Sequence, residues 1–450
     1  MDDIRLPPHS MEAEQSVLGG LLLENSAWDK IAELIVEGDF YRHDHRLIYH
    51  HISKLVEQGK PADVITVADS LESSGELASA GGLAYLGTLA QNTPSAANAK
   101  HYARLVREQS VRRQMAAAGS AVCELAYGNT SNGVDGLIDE AESRIFALRD
   151  ASTSRDLPVI GADDLLSELL HELDHRFETG SELLGIPTGL ADLDKKTLGL
   201  KPGELIILGA RPSMGKTSLA LQIAEHATKE GNTVLFFSLE MTRLSLIQRL
   251  ASSVGKIPLE EIVTGRAIAD DDSSSRLAAF IGRLSGSGSR LLIRDAPAAS
   301  ITSIRSTLRR TIRESKGVDM VVIDYLQLIQ PSAELKRASR YEQVTEISRA
   351  LKSMTLEFNI PILVLSQLNR DLEGRQNKRP TSADLRDSGQ VEQDADIILL
   401  LYRDDVYNED SQDGGIAEII ISKQRNGSTG IVRTVFLGEY TRFENCSYHN

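Results

Sequence analysis

Residues 210–217 read Ala-Arg-Pro-Ser-Met-Gly-Lys-Thr, an order of residue types suited to holding phosphate. Backbone N–H groups of such a loop wrap phosphate oxygens, the Lys216 ammonium faces the β and γ oxygens, and the Thr217 hydroxyl can ligate Mg²⁺. The run matches G-x-x-x-x-G-K-[ST] except that Ala210 replaces the first glycine, and Gly209 is expected to supply some of the missing backbone freedom. We therefore expect Ser213, Gly215, Lys216, Thr217 and Ser218 to bind a nucleoside triphosphate with its Mg²⁺.

Further polar residues end apolar runs. Asp324 follows Val321-Val322-Ile323. It either caps a helix start or, with a phosphate loop upstream in the same sheet, holds the metal directly or through water. Glu240 lies just past Val234–Ser238, where a carboxylate can polarise the water that attacks a γ-phosphate. Its other reading is a first-turn acid stabilising the next helix, worth a few tenths to about 1 kcal/mol. Gln367 closes Pro361–Ser366 and is either a solvated strand-end amide or a group that touches the γ-phosphate and reports to the polar loop 368–380.

These residues need a sheet to position them. Apolar runs at 205–209, 233–238, 320–324, 361–366 and 396–402 have the length of buried strands, and helical patterns at 216–229, 242–254, 301–316 and 341–358 separate the first four. That alternation predicts a mostly parallel α/β sheet with helices on both faces. Ile416–Ser422 and Ile431–Leu437, joined through an Asn-Gly turn, predict an antiparallel hairpin at the sheet's edge. Residues 10–150 instead read as helical: Val17, Leu18, Leu21 and Leu22 form one stripe, and Leu47, Ile48, Ile52 and Leu55 another. Long stretches at 95–127 and 134–149, separated by Gly128–Gly133, predict a helical hairpin, either the end of a bundle or an association surface. Residues 151–162 read as a linker. After them Leu166, Leu169, Leu170, Leu173 and Phe177 give a narrow apolar stripe on a linker helix, which must be buried on its own domain or a neighbouring subunit. The expected domains are thus an all-α N-terminal domain (1–150), a linker with its helix (151–185) and an α/β ATPase domain (186–450).

With 450 residues, 41% of them apolar, the chain can bury more than one core. The longest apolar run, Ile397–Tyr402, is far too short to span a bilayer, and Met1–Pro8 has no secretory pattern. Cys123 and Cys446 read as free thiols in a reducing cytoplasm. A net charge of −15 does not exclude nucleic acid, because a basic channel can lie within an acidic exterior.

The order of these pieces resembles the RecA-type ATPase core, and their wording resembles the DnaB family of replicative hexameric DNA helicases of bacteria. The matching stretches are 185–190, 210–217, 238–241, Ile323-Asp324-Tyr325-Leu326-Gln327, 365–370 and Lys423-Gln424-Arg425-Asn426-Gly427, together with 7–10 and 12–19 near the N-terminus. They are spread over nearly the whole chain. The resemblance implies that Glu240 is the catalytic acid, Asp324 a metal carboxylate and Gln367 a γ-phosphate sensor. It also implies that Lys423 and Arg425 reach a neighbouring subunit's ATP site, Arg425 as the arginine finger. Arg386, Asp387 and Gly389 would grip the backbone of single-stranded DNA, with Asp387 standing where a glutamate is commoner. The implied assembly is a homohexamer that takes ATP and Mg²⁺ and moves 5′→3′ along the encircled strand. The N-terminal hairpin would form a collar, the linker helix would dock on the adjacent protomer, and the implied partners are primase, a helicase loader and the clamp-loader complex.

Two rivals share this core. A RecA-like recombinase or switch ATPase is expected to lack residues 1–180, and a non-hydrolysing scaffold ring is expected to have lost Glu240 or Arg425. Opening a duplex costs on average about 1.4 kcal/mol per base-pair step in stacking, an outlay that only repeated hydrolysis can renew.

Overall fold

A computed structural model describes residues 6–446 except 94–97, 129–133, 135–136, 139, 142–143, 146–160, 180–182, 286–289, 298, 316, 333–334, 386–388 and 409. The chain divides into two compact units, Met1–Ser167 and Glu168–Asn450. No helix among the described residues is long and apolar enough to cross a membrane.

The first unit is helical, with α1 (Met11–Leu23), α2 (Trp28–Ile31), α3 (His43–Glu57), α4 (Val64–Ser73), α5 (Gly82–Asn92) and α6 (Ala99–Tyr127). The stripe Val17, Leu18, Leu21 and Leu22 of α1 packs with Ile48, Ile52 and Leu55 of α3 in one core. Polar caps fix where these helices begin: the Ser10 hydroxyl accepts from the Ala13 amide, and Asp63 forms a reciprocal box with Thr66. The first arm of the expected hairpin is α6. Of the second arm only scattered positions are described, among them helical Val134, Ile138 and Arg144. The expected turn after Gly128 and the linker over 151–160 lie outside the described residues.

Helix α7 (Ala162–Thr179) carries the expected stripe. Leu166, Leu169, Leu170, Leu173 and Phe177 are all solvent-exposed in the single chain, Phe177 at 90%.

The second unit is built on a sheet of strands β1 (Leu205–Ala210), β2 (Val234–Ser238), β3 (Leu291–Asp295), β4 (Met320–Asp324), β5 (Ile362–Gln367), β6 (Ile397–Tyr402), β7 (Ile416–Gln424), β8 (Gly430–Leu437) and β9 (Arg442–Asn445). Their spatial order is β3-β2-β4-β5-β1-β6-β7-β8-β9. Pairings from β3 through β6 are parallel; β6 with β7, β7 with β8 and β8 with β9 are antiparallel. Helices α8 (Ala191–Thr197), α9 (Lys216–Lys229), α10 (Arg243–Gly255), α11 (Leu259–Thr264), α12 (Asp271–Ser285), α13 (Ile301–Glu314), α14 (Arg340–Phe358) and α15 (Gly389–Asp394) complete the unit. Alternation along β1 explains the layering. Ile206 and Leu208 pack on one face with Leu219 and Ile223 of α9, whereas Leu205 and Ile207 pack on the other with Ile304 of α13 and Leu351 of α14.

Two expectations need correction. The hairpin β7–β8 is not the sheet's edge, because the polar β9 pairs with β8. Gly209 does not loosen the phosphate loop either: it is a residue of β1, and a Cβ there would approach the Leu400 side chain to 2.8 Å. Gly209 is closely packed by the side chains of Leu400, Leu368 and Leu385. The left-handed backbone positions of the loop are Ser213 (φ 68°) and Gly215 (φ 97°).

Candidate active site

Parallel register decides which residues meet. Ala210 is level with Gln367 on β5 and with Leu401 on β6, and Ser238 is level with Asp324 across β2 and β4. The carboxyl ends of β1, β2, β4 and β5 therefore converge on one edge of the sheet, the place where open α/β sheets bind ligands. A cavity of about 360 Å³ lies there, lined among others by Ser213, Gly215, Lys216, Thr217, Ser218, Glu240 and Gln367.

The phosphate loop owes its shape to Gly215. Its left-handed backbone turns the chain into α9, and a Cβ would come within 3.0 Å of Phe443 and 3.2 Å of Phe436. No side chain caps the N-terminus of α9. The N–H groups of its first turn are thus left for a ligand, and the helix dipole favours an anion there.

Lys216 is largely buried, with Nζ 3.8 Å from Asp324 Oδ1 and 4.5 Å from the Tyr325 ring centroid. Burial pushes the Lys216 ammonium below its ordinary value, while attraction to Asp324 and Glu240 opposes the shift. The Thr217 hydroxyl donates to Asp324 Oδ2 at 2.7 Å, and the fully buried Oδ1 of Asp324 accepts no hydrogen bond. A buried carboxylate oxygen without a donor, beside a hydroxyl and a lysine, fits a hard divalent cation that keeps most of its ligands from phosphate and water.

Glu240 is exposed at the cavity, and α10 begins at Arg243 with the Thr242 hydroxyl as its cap, accepting from Ser245 N. Glu240 thus lies outside the first turn, so the helix-stabilising reading has no geometric basis. The Gln367 backbone N–H donates to Gln327 Oε1 at 3.2 Å, and Gln327 Nε2 reaches Ser366 Oγ at 3.0 Å, which locks the end of β5.

Lys423 and Arg425 are elsewhere. Strand β7 runs antiparallel to β6 and places Gln424 beside Ile397, where β6 begins. The Arg425 amide donates to the Asp396 carbonyl, and the Asp396 amide to the Leu205 carbonyl, each at 2.9 Å. Arg425 is therefore at the amino edge of the parallel strands, roughly 17 Å from the phosphate loop along β1 at the usual rise per residue. Its side chain contacts Asp396 Oδ1 at 3.2 Å and the Gln393 carbonyl at 3.1 Å; Lys423 Nζ donates to the Glu392 carbonyl at 2.6 Å. Burial, then the neighbouring Arg425, push the Lys423 ammonium down, with Asp396, Glu392 and Asp394 opposing. Neither cation lines the cavity of its own chain.

Met241, Arg249, Tyr325, Phe436 and Thr441 also line the cavity and were not anticipated. Tyr325 is adjacent in sequence to Asp324, a signal that was available; Phe436 and Thr441 arrive from β8 and the turn before β9, for which no local pattern exists. Arg386 and Asp387 lie outside the described residues, and Gly389 opens α15.

The DnaB-like helicase N terminal domain matches residues 6–108 and the DnaB-like helicase C terminal domain matches 185–445. The chain is 41% identical over 445 residues to the replicative DNA helicase DnaB of Haemophilus influenzae, covering 98% of this chain and 94% of that one. It is 42% identical over 448 residues to that of Geobacillus stearothermophilus, covering 98% and 95%. A solved DnaB-like replicative helicase, described with its interactions with primase, superposes with a TM-score of 0.75 at 33% identity, covering 97% of this chain and all of that one. A second solved structure, an isolated ATPase domain, superposes with a TM-score of 0.60 at 39% identity, covering 64% of this chain and 100% of that one. The chain, with its helical N-terminal domain and RecA-like core, belongs to the DnaB-like helicases.

Proposed function

We infer that this chain is a replicative DNA helicase, an ATP-driven homohexameric ring that moves 5′→3′ on single-stranded DNA and unwinds duplex at the fork. The observation that carries the reading is the division of the catalytic groups between the two edges of one sheet. Lys216, Thr217, Asp324, Glu240 and Gln367 gather at the carboxyl edge, and Arg425 stands at the amino edge of the same strands. A complete site then needs two subunits. Hydrolysis at such a junction is coupled to relative subunit motion, which a translocase requires.

In this mechanism Thr217 and Asp324 would hold Mg²⁺, which when bound would neutralise charge on the phosphate oxygens. Lys216 and the first-turn amides of α9 orient the phosphates. Glu240 orients the attacking water and accepts its proton, and Gln367 contacts the terminal phosphate from the end of β5. Arg425, with Lys423 beside it, supplies positive charge to the neighbouring subunit's site as bonding to the leaving phosphate loosens. The exposed stripe of α7 is proposed to dock on the adjacent protomer, and 1–150, 151–185 and 186–450 are proposed as collar, linker and motor. Primase, a loader and the clamp-loader complex are proposed partners in the cytoplasm.

DNA contact is assigned to Arg386, Asp387 and Gly389. A Cβ built on Gly389 meets no atom within 4 Å, so packing does not demand glycine there, whereas close approach of a phosphate would. The contact reads backbone and not bases. Arg386→Ala is expected to weaken single-strand binding equally across sequences and to flatten the salt dependence by about one charge, with basal ATPase largely retained and unwinding reduced. Titration of labelled oligonucleotides against salt checks this, and an unchanged slope removes the loop from the DNA path.

The decisive test of the function is strand displacement on forked DNA with and without ATP. ATP-dependent opening of a fork with a free 5′ tail is expected. No opening rejects the helicase reading, and opening of a substrate bearing only a 3′ tail rejects the polarity.

A further inference from the structure

Arg211, the first residue after β1, begins the phosphate loop, yet its guanidinium is turned away from solvent and only 8% exposed. Nε and Nη2 donate to Glu373 Oε1 at 2.9 and 2.6 Å, and Nη1 donates to the Leu368 carbonyl at 2.8 Å. Both acceptors belong to the segment that leaves β5 directly after Gln367. That segment is braced at its far end. The Asn369 amide donates to the Asp384 carbonyl at 2.8 Å, Leu368 pairs with Leu385, and Arg375 forks onto the Asp384 carboxylate, with Nη1 2.9 Å from Oδ2. Thr381 N donates to the same carboxylate at 2.9 Å. The chain thus loops out from the γ-phosphate side of the site and returns at Leu385, the residue before Arg386.

Stability alone does not account for this fork. Glu373 is 47% exposed, so the pair gains little as an ion pair, and an apolar side chain would fill a buried position at lower desolvation cost. The planar fork does something an apolar residue cannot: it fixes two separate points of another segment to one loop.

We propose that Arg211 is a positioning residue that ties the phosphate loop, through Glu373 and the Leu368 carbonyl, to the segment 368–385, so that nucleotide and single-stranded DNA are felt at each other's sites. This rests on the helicase reading above. The coupling is reciprocal: by whatever factor DNA changes the affinity for nucleotide, nucleotide changes the affinity for DNA.

The test is ATP hydrolysis by the full chain, with and without saturating oligo-dT. Glu373→Gln keeps the side chain's size and removes the charged acceptor, outside the cavity and its ligands. Its basal kcat, KM for ATP and melting temperature are expected to match the parent, while the ratio of DNA-stimulated to basal kcat falls about fivefold or more. Glu373→Asp should recover part of that ratio. Arg211→Lys keeps the charge without the fork and should lower the same ratio, and combining it with Glu373→Gln should lower it no further, since both break one strut. A parental ratio in Glu373→Gln overturns the proposal, as does an equal fall of basal and stimulated rates, which marks a merely structural effect. A parent chain that neither responds to DNA nor opens forks sinks the helicase reading and this proposal together; a parent that does both beside an unaffected Glu373→Gln sinks the strut alone.

Discussion

Glu240→Gln is expected to keep nucleotide binding and ring assembly and to lose ATP turnover by on the order of 10²-fold or more, the cost of removing a water-orienting base. The substitution is close to isosteric, and Glu240 is exposed and outside the first turn of α10, so no packing or capping is lost with it. Its neighbourhood supplies the motive. Glu240 follows β2, whose last residue Ser238 is level with Asp324, and it lines the cavity with Lys216 and Thr217. Steady-state hydrolysis beside equilibrium binding of a labelled nucleotide separates the two effects. ATPase within about twofold of the parent, against that expected loss, would show that another group orients the water.

Arg425→Ala is expected to lower hydrolysis by roughly 10³-fold, the low end for an arginine finger. The defect should also be repairable by another chain. Arg425 is anchored through Asp396 to the start of β1, at the opposite edge from the phosphate loop, and the site it is proposed to complete is that of a different subunit. Mixing Arg425→Ala with Lys216→Ala protomers creates interfaces with an intact phosphate loop on one side and an intact finger on the other. Partial recovery of ATPase in the mixture is expected. Failure to recover at any mixing ratio would mean that Arg425 acts within its own chain or serves only the fold. Thermal melting separates these two outcomes: Asp396 keeps Lys352 at 2.6 Å and the Leu205 amide at 2.7 Å when Arg425 is removed, so the core should remain intact.

The central strands were legible because a strand covered on both faces must be apolar at every position. β1, β2, β4, β5 and β6 meet that condition up to the polar residues at the carboxyl ends of β2, β4 and β5, and their apolar runs are found within a residue or so of the expected bounds. β3 and β9 fail it. β3 is half-buried at the sheet's edge and contains Arg294, and β9 is Arg-Phe-Glu-Asn, so neither stands out from a loop. The same limit hid Arg211: an arginine within a phosphate-loop motif reads as a solvated residue until its partner, 162 positions away, is in place.

By itself the sequence determined the local elements and the types of chemistry they carry: a phosphate loop entering a helix, acids and an amide at strand ends, a helical N-terminal region and a narrow apolar stripe on a linker helix. These are written in short-range periodicity, capping and turn residues, which act over a few positions. Only the tertiary structure decided which of them meet. Thr217 and Asp324 are 107 residues apart and share a hydrogen bond because the order β2-β4-β5-β1 and its parallel register bring their strand ends to one edge. The reversal of direction at β7 carries Arg425 to the other edge. Strand order and direction are set by how long crossovers pack on two faces of a sheet, a free-energy balance over the whole unit that no local window contains.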